Sequence, residues 1–315
     1  MSSILTNASA MTALQTLSAT NKNLASTQNR IATGMKVAEA SDNAAYWSIA
    51  TTMRSDNKAN GVITSSLGLG GAKVDTAYTA IKDAVTAVDT IKEKVLSAKN
   101  ASAEDRAKIQ IEIKTLQDQL KESAKASYAG SNLLTTDSGD DATAPNFSIV
   151  SSYNRATDGT VSTGSIDVAL ENIRLVDTGG AAPADKLGIL DAEFDVTGAA
   201  VTDATAGKMS ILNIDVSAAT NDMLDQMLAG VETAAGALAT GASALGAAKT
   251  RIEMQTTFIS NISDAIERGV GAMVDADMNK ESARLSALQV QQQLGVQALS
   301  IANSGNQNIL SLFRG

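Results

Sequence analysis

The chain has 315 residues, of which 44% are hydrophobic and only 3% aromatic. It contains neither Cys nor His, which excludes disulfide scaffolds, Cys or His metal sites, Cys nucleophiles and Ser-His-Asp triads. The formal net charge is −9, and residues 135–220, with 13 acidic and 4 basic side chains, account for all of it. An acidic segment beside a neutral remainder argues against nucleic acid as a partner. We predict no catalytic site, cofactor or metal.

The composition favours long helices that do not span a membrane. Alanine, the strongest helix former, takes the place of bulky aromatic residues. No run of 18 apolar residues is present, so we expect no membrane insertion. Residues 1–20 lack the basic region and the continuous apolar region of a secretory signal peptide.

The two ends of the chain share an unusual property. Residues 1–21 and 285–313 carry no charged side chain, although an exposed monomeric helix normally carries charges on its solvent face. This pattern predicts inner-core surfaces that are buried between copies of the chain, whereas the alternative is frayed terminal tails. The predicted assembly residues are Leu14, Leu17, Leu24 and Ile31 near the start and Leu285, Leu288, Leu299, Ala302, Ile309 and Phe313 near the end.

The following segment predicts two helices separated by a break. Apolar residues at three- and four-residue spacing between Val74 and Val95 indicate one helical face. Ser102 and Asp105 then form a capping box that predicts the start of the next helix. The glycine-rich stretch 68–73 lacks the spacing of a phosphate-binding loop, and we interpret it as a turn between helices. Tyr46-Trp47 is interpreted as a packing anchor.

The middle of the chain predicts short strands. Both prolines, Pro145 and Pro183, lie here, and Gly, Thr and Asp clusters separate apolar runs at 147–150, 164–170 and 211–216. We therefore expect a small β-rich domain at 135–220.

A seven-residue repeat marks the segment that follows. Eight consecutive positions at this spacing are apolar, as in the seam of a supercoiled helix. The predicted outer-core seam consists of Leu224, Val231, Leu238, Leu245, Ile252, Ile259, Ile266 and Met273. After it, Asp275 to Lys280 lacks the Gly and Glu of a calcium loop and is interpreted as a charged patch that closes the long helix.

Motifs at both ends, in order, resemble bacterial flagellin, the subunit of the flagellar filament. They comprise Arg30-Ile31-Ala32-Thr33-Gly34-Met35-Lys36-Val37, Ser41 to Ala50, residues 104–134, Arg251-Ile252-Glu253, Asp275-Ala276-Asp277 and Gln289 to Gly315. The form Asp42-Asn43-Ala44-Ala45-Tyr46-Trp47 is similar to flagellins of soil-dwelling alphaproteobacteria, the rhizobial type.

The resemblance implies a mainly α fold with a small β-rich insertion and a long coiled-coil or helical-bundle core formed by both termini. Residues 1–42 and 275–315 would form the inner core, residues 43–134 and 221–274 the outer core, and residues 135–220 the variable acidic surface. The implied function is a self-assembling subunit of the extracellular flagellar filament, with no catalysis. The implied partners are other copies, other flagellins, an export chaperone of the type III system, the filament cap and the hook-junction proteins.

One helix position departs from the family. Some flagellins carry a motif with a central Arg that an animal Toll-like receptor recognises, and Thr90 stands at the corresponding place here. The resemblance therefore implies weakened recognition. The hook–filament junction protein and another coiled-coil structural protein remain alternatives. A signalling rod would need a membrane span, and an Asp/Lys enzyme within 135–220 would need a cluster that the sequence lacks.

Overall fold

The computed structural model describes residues 7–137, 146–179, 187–196 and 207–312 and, within α5, side chains up to residue 304. The described part is mainly α, with a small insertion that contains short strands, as the sequence predicted. Its helices are α1 (Ala8–Thr33), α2 (Ala44–Ala98), α3 (Ala103–Ala124), α4 (Asn221–Val274) and α5 (Met278–Leu312). Its strands are β1 (Thr135–Thr136), β2 (Phe147–Arg155), β3 (Val161–Val168), β4 (Val176–Asp177), β5 (Phe194–Asp195) and β6 (Lys208–Met209).

The strands form three two-stranded sheets. β2 and β3 form an antiparallel hairpin with a bulge between Val150 and Ser152. β1 pairs in parallel with β4, and β5 pairs antiparallel with β6. No described sheet is large enough to form a core by itself, so these strands depend on the helices that they contact.

Local side-chain chemistry sets the helix ends. The Asn7 side chain accepts a hydrogen bond from the Ala10 N–H at 3.0 Å and caps α1, which ends at Gly34 with a left-handed φ of 70°. The predicted break after α2 is confirmed, because α3 begins directly after Ser102. The Ser102 hydroxyl accepts the Asp105 N–H at 3.2 Å and donates to the Asp105 carboxylate at 2.8 Å.

The interpretation of residues 68–73 as a turn is wrong, because α2 runs through them without interruption. Gly70 is buried where α2 meets the β2–β3 hairpin, and a Cβ at this position would lie 2.7 Å from Ile149 Cδ1. Gly70 is therefore a point of close approach between the helix and the hairpin, not a helix breaker.

The predicted strand at 211–216 is also wrong. Ile211–Asn213 forms a 3₁₀ turn with a capping box from Ser210, and the chain beyond it lies on α3. The Gln117 amide donates to the Ile211 and Ile214 carbonyls, each at 3.1 Å. Side chains of α3 thus satisfy the backbone groups that a neighbouring strand would otherwise bind.

The chain divides into two compact units, Met1–Lys58 with Ser263–Gly315 and Ala59–Ile262, and the boundaries fall inside α2 and α4. In the second unit, apolar residues of the insertion belong to the same core as those of α2, α3 and α4. Ile149, Ile166, Leu175 and Leu190, for example, are almost fully buried in it. The described insertion is therefore built onto the helices and shares their core. The division into inner core, outer core and variable surface concerns layers of a filament and stays a prediction.

Candidate assembly surfaces

In the first unit, α1 and α5 pair antiparallel through contacts along their length. The Asn7 amide donates to the Ala302 carbonyl at 2.9 Å, and the Gln292 amide donates to Asn21 Oδ1 at 2.9 Å. Arg30 and Glu281 form an ion pair at 3.5 Å near the other end. The two charge-free tails are therefore partners within one chain.

This helix pair buries few side chains. Among the described side chains of α1 and α5, only Thr27, Glu281 and Leu288 are buried. A pair of helices without a third layer covers one stripe of each helix and leaves the others in water. The pair therefore lacks a core of its own.

The predicted inner-core residues fall into three groups. Leu288 is buried, and Leu14 is 58% exposed. Ile309 lies in α5 beyond the described side chains, and Phe313 lies outside the described residues. The partly buried members are Leu17, Leu24, Ile31, Leu285, Leu299 and Ala302. The structure thus turns most of the described members toward the partner helix and leaves Leu14 on an open flank.

A short strap joins the N-terminal segment to the end of α4. The Lys36 N–H donates to the Val274 carbonyl at 2.7 Å, and the Ala276 N–H donates to the Gly34 carbonyl at 2.9 Å. The Lys36 ammonium also donates to the Ala272 carbonyl at 2.8 Å. This strap satisfies carbonyls that the end of a helix leaves without partners.

A small apolar cluster lies beside the strap, formed by Val37, Ala50, Val270 and Val274. Ile266 and Met273, the last two seam positions, are partly buried against it.

The other six seam positions lie in the second unit. All of them belong to its hydrophobic core, and none exceeds 5% exposure. They are Leu224, Val231, Leu238, Leu245, Ile252 and Ile259.

Cross-helix ion pairs accompany the seam. Lys99 and Asp225 lie 2.6 Å apart, and Lys92 pairs with Glu232. The seven-residue step from Lys92 to Lys99 on α2 matches the reverse seven-residue step from Glu232 to Asp225 on α4. The ion pairs therefore share one antiparallel register, which an apolar repeat alone would not distinguish from a seven-residue slip.

These pairs alter the pKa of two lysines. A hydrogen bond to the Glu232 carboxylate raises the pKa of Lys92, and one to Asp75 raises the pKa of Lys249. Both lysines are exposed enough for water to screen the attraction, so the pairs contribute to register more than to stability.

Two further surfaces escaped the sequence interpretation. On α5, Val290, Leu294 and Ile301 are 55%, 58% and 71% exposed, on the side away from α1. Their signal was present, because α5 carries apolar residues on two faces, but only the stripe that includes Leu288 was recognised. On one flank of α1, an open groove is lined by Met11, Leu14, Gln15, Ser18, Ala19 and Lys22.

Tyr46 and Trp47 lie in the first turn of α2 and are 46% and 39% exposed. Their interpretation as a packing anchor is wrong for the described chain, because no core covers them.

Thr90 lies on α2, is partly buried, and donates its hydroxyl to the Thr86 carbonyl at 2.9 Å. The Thr90 hydroxyl is therefore hydrogen-bonded to a backbone carbonyl of its own helix.

Other interpreted features are local structure. Asp277 Oδ1 accepts the Asn279 N–H at 3.0 Å and the Lys280 N–H at 3.2 Å, so the acidic stretch caps the start of α5. Within the described ranges, no three acidic side chains gather as metal ligands. No helix in that part of the chain is long and apolar enough to cross a membrane.

Comparisons with known proteins agree with this architecture. Residues 4–138 match the bacterial flagellin N-terminal helical region, and residues 228–313 match the bacterial flagellin C-terminal helical region. The chain is 51% identical to a flagellin of Brucella melitensis and 44% identical to flagellin C of Rhizobium meliloti, each over the full length of both proteins. The chain therefore belongs to the bacterial flagellin family, as a structural subunit of the extracellular flagellar filament and not an enzyme.

Proposed function

We propose that the chain polymerises through its paired terminal helices, with three layers in the filament. Residues 1–42 and 275–315 form the inner core, residues 43–134 and 221–274 the outer core, and residues 135–220 the acidic outer surface. The seam residues hold the outer core together within each subunit. The described stripes of α1 and α5 hold the inner core together.

The small number of described side chains that the α1–α5 pair buries is the observation that supports this proposal. Two helices of 26 and 35 residues are costly to order in water, because each fixed residue loses about 1–2 kcal/mol of conformational entropy. Their pairing buries only three described side chains, so one chain gains little in return. Contacts with further copies supply the missing burial, so the tails become ordered as the subunits assemble.

A truncation tests the proposal. Removal of residues 285–315 deletes most of α5 and leaves the second unit, Ala59–Ile262, untouched. We expect the truncated protein to keep the thermal transition of that unit and to form no filaments in salt-induced polymerisation followed by electron microscopy. Filaments of normal length from the truncated protein would refute the proposal.

The resemblance also supports proposals about partners. We propose that an export chaperone and the type III apparatus handle the unfolded chain, and that the chain meets the filament cap, the hook-junction proteins and other flagellins. The absence of Cys supports passage without crosslinks. Co-purification of the full chain with each candidate, with the 285–315 truncation as the comparison, tests these contacts separately.

A further inference from the structure

Two dipeptides of this chain have the sequence at which protein backbones isomerise most readily. Asn60-Gly61 and Asp158-Gly159 are the only places where glycine follows Asn or Asp. Glycine has no side chain to hinder attack of its amide nitrogen on the preceding side-chain carbonyl carbon. Asn60 is 7% exposed within α2, whereas Asp158 and Gly159 are exposed in the turn between β2 and β3. The exposed dipeptide is therefore the one that water and a change of backbone conformation can reach.

The reaction at Asp158-Gly159 follows from the atoms that are present. The Gly159 amide nitrogen attacks Cγ of Asp158, a carboxyl oxygen leaves as water, and a five-membered succinimide ring forms. Water then opens the ring at either carbonyl, which restores Asp158 or leaves the main chain running through its Cβ and Cγ as isoaspartate. One water is released and one is taken up, so no other reactant is needed. The first step requires a neutral carboxyl group and a rotation that brings the nitrogen to Cγ.

Hydrogen bonds in the turn restrain both reacting groups. The Gly159 N–H donates to the Ala156 carbonyl at 3.0 Å, and the Ala156 N–H donates to the Thr160 carbonyl at 2.8 Å. Asp158 Oδ1 accepts the Thr160 N–H at 2.9 Å and the Thr160 hydroxyl at 2.6 Å. The attacking nitrogen is thus bound to one side of the turn and the carboxylate to the other, and ring closure must disrupt these contacts.

Thr160 also favours the unreactive, ionised form of the carboxyl group. Hydrogen bonds from the Thr160 hydroxyl and N–H lower the pKa of Asp158 below its ordinary value. The carboxylate must gain a proton before an oxygen can leave as water, so a lowered pKa reduces the reactive fraction at a given pH. One side chain therefore acts on both the orientation and the protonation of the group that reacts.

We propose that the Thr160 hydroxyl protects Asp158-Gly159 from isomerisation in the folded chain. This role concerns the chemical durability of an extracellular subunit and is independent of how copies pack in the filament. Isoaspartate at position 158 would add a methylene carbon to the main chain of the turn. The added carbon would disturb the end of the β2–β3 ladder, where Arg155 pairs with Val161.

Two matched valine variants test the proposal in the full-length chain. Thr160→Val removes the hydroxyl and keeps the branched shape, and Thr157→Val makes the same change on the other side of Asp158. Isoaspartate at position 158 should form about fivefold faster in folded Thr160→Val than in the unsubstituted chain, since this is the change that loss of a typical hydrogen bond produces. Thr157→Val should stay within about twofold of the unsubstituted chain.

The product is measured after incubation in mildly acidic buffer. Trypsin cleaves after Arg155 and Arg174 and releases residues 156–174, in which chromatography and mass spectrometry separate isoaspartate from aspartate. A parallel incubation in urea breaks the hydrogen bonds of the turn. All three chains should then isomerise at similar rates, at least about tenfold above the folded, unsubstituted chain.

Three results would overturn the proposal. Equal rates for the folded and the unfolded unsubstituted chain would show that the turn gives no protection, and this comparison holds even if Thr160→Val perturbs the hairpin. Equal rates for folded Thr160→Val and the unsubstituted chain would exclude the hydroxyl from the role. An equal acceleration in Thr157→Val would show that loss of either hydroxyl loosens the turn, so that Thr160 has no specific part.

Discussion

Substitution of Gly70 by alanine should have two opposing effects on the free energy of unfolding: a gain from better helix propensity and a loss from steric overlap with the hairpin. Gly→Ala in an open helix interior stabilises by about 1 kcal/mol, because alanine is the better helix former. At Gly70, however, the new Cβ would lie 2.7 Å from Ile149 Cδ1 and 2.8 Å from both its Cγ1 and Cγ2. Ile149 is only 3% exposed and its branched side chain has little freedom, so the hairpin must shift.

The expected magnitude follows from these two terms. Overpacking of a filled core costs about 1–3 kcal/mol, which the helix gain offsets in part. Gly70→Ala should therefore change the free energy of unfolding by between about zero and a loss of 2 kcal/mol. Gly68→Ala is the matched control, because Gly68 lies in the same helix with nothing within 4 Å of its Cβ position. It should gain about 1 kcal/mol.

Urea denaturation of the monomer, followed by circular dichroism, measures the difference between the two variants. The free energies of unfolding of the two variants should differ by about 1–3 kcal/mol. When both glycine substitutions are made in an Ile149→Ala background, most of this difference should disappear, because the side chain that the new Cβ would meet has been truncated. Equal increases in the free energy of unfolding for Gly68→Ala and Gly70→Ala would show that the hairpin leaves room for a Cβ at position 70, and this would refute the reasoning.

Three further predictions concern other parts of the chain. Leu245→Ala should lower the free energy of unfolding by about 2–5 kcal/mol in denaturant titrations because it leaves a cavity, whereas Met254→Ala on the exposed side of α4 should cost about 0.5 kcal/mol or less. The raised pKa values of Lys92 and Lys249 imply stability that is present below the ordinary lysine pKa and lost as pH rises through their higher folded values. The small stability advantage over a Lys92→Gln/Lys249→Gln variant should thus be seen at about pH 9 and decline as the pH rises above the ordinary lysine pKa of about 10.4, and an undiminished advantage in strongly alkaline solution would contradict the assignment. Monomer should activate the animal Toll-like receptor weakly in a reporter-cell assay, because Thr90 cannot make the directed hydrogen bonds of Arg, and strong activation would contradict the alignment of this helix.

Local chemistry made parts of the fold readable from the sequence. The heptad positions from Leu224 to Ile259 predicted a buried seam because a seven-residue repeat places one stripe on one side of a helix. Ser102 and Asp105 predicted the start of α3 because a cap needs only residues three apart in the chain. In both cases the determining contact is periodic or local. The absence of charge at the two ends predicted surfaces buried between copies, whereas the pairing of the two tails was implied only by the resemblance to flagellin.

Tertiary structure decided the features that depend on distant partners. Residues 211–216 have strand-like alternation, but the Gln117 and Gln110 side chains of α3 satisfy their backbone in another conformation. Gly70 was interpreted as part of a turn, whereas in the structure it lies within α2 at the point where the hairpin approaches the helix. Leu14 belongs to a helical stripe by spacing, yet it is 58% exposed in the structure. Periodicity reports which residues share a face, whereas the element that covers that face is set by packing between segments far apart in the chain.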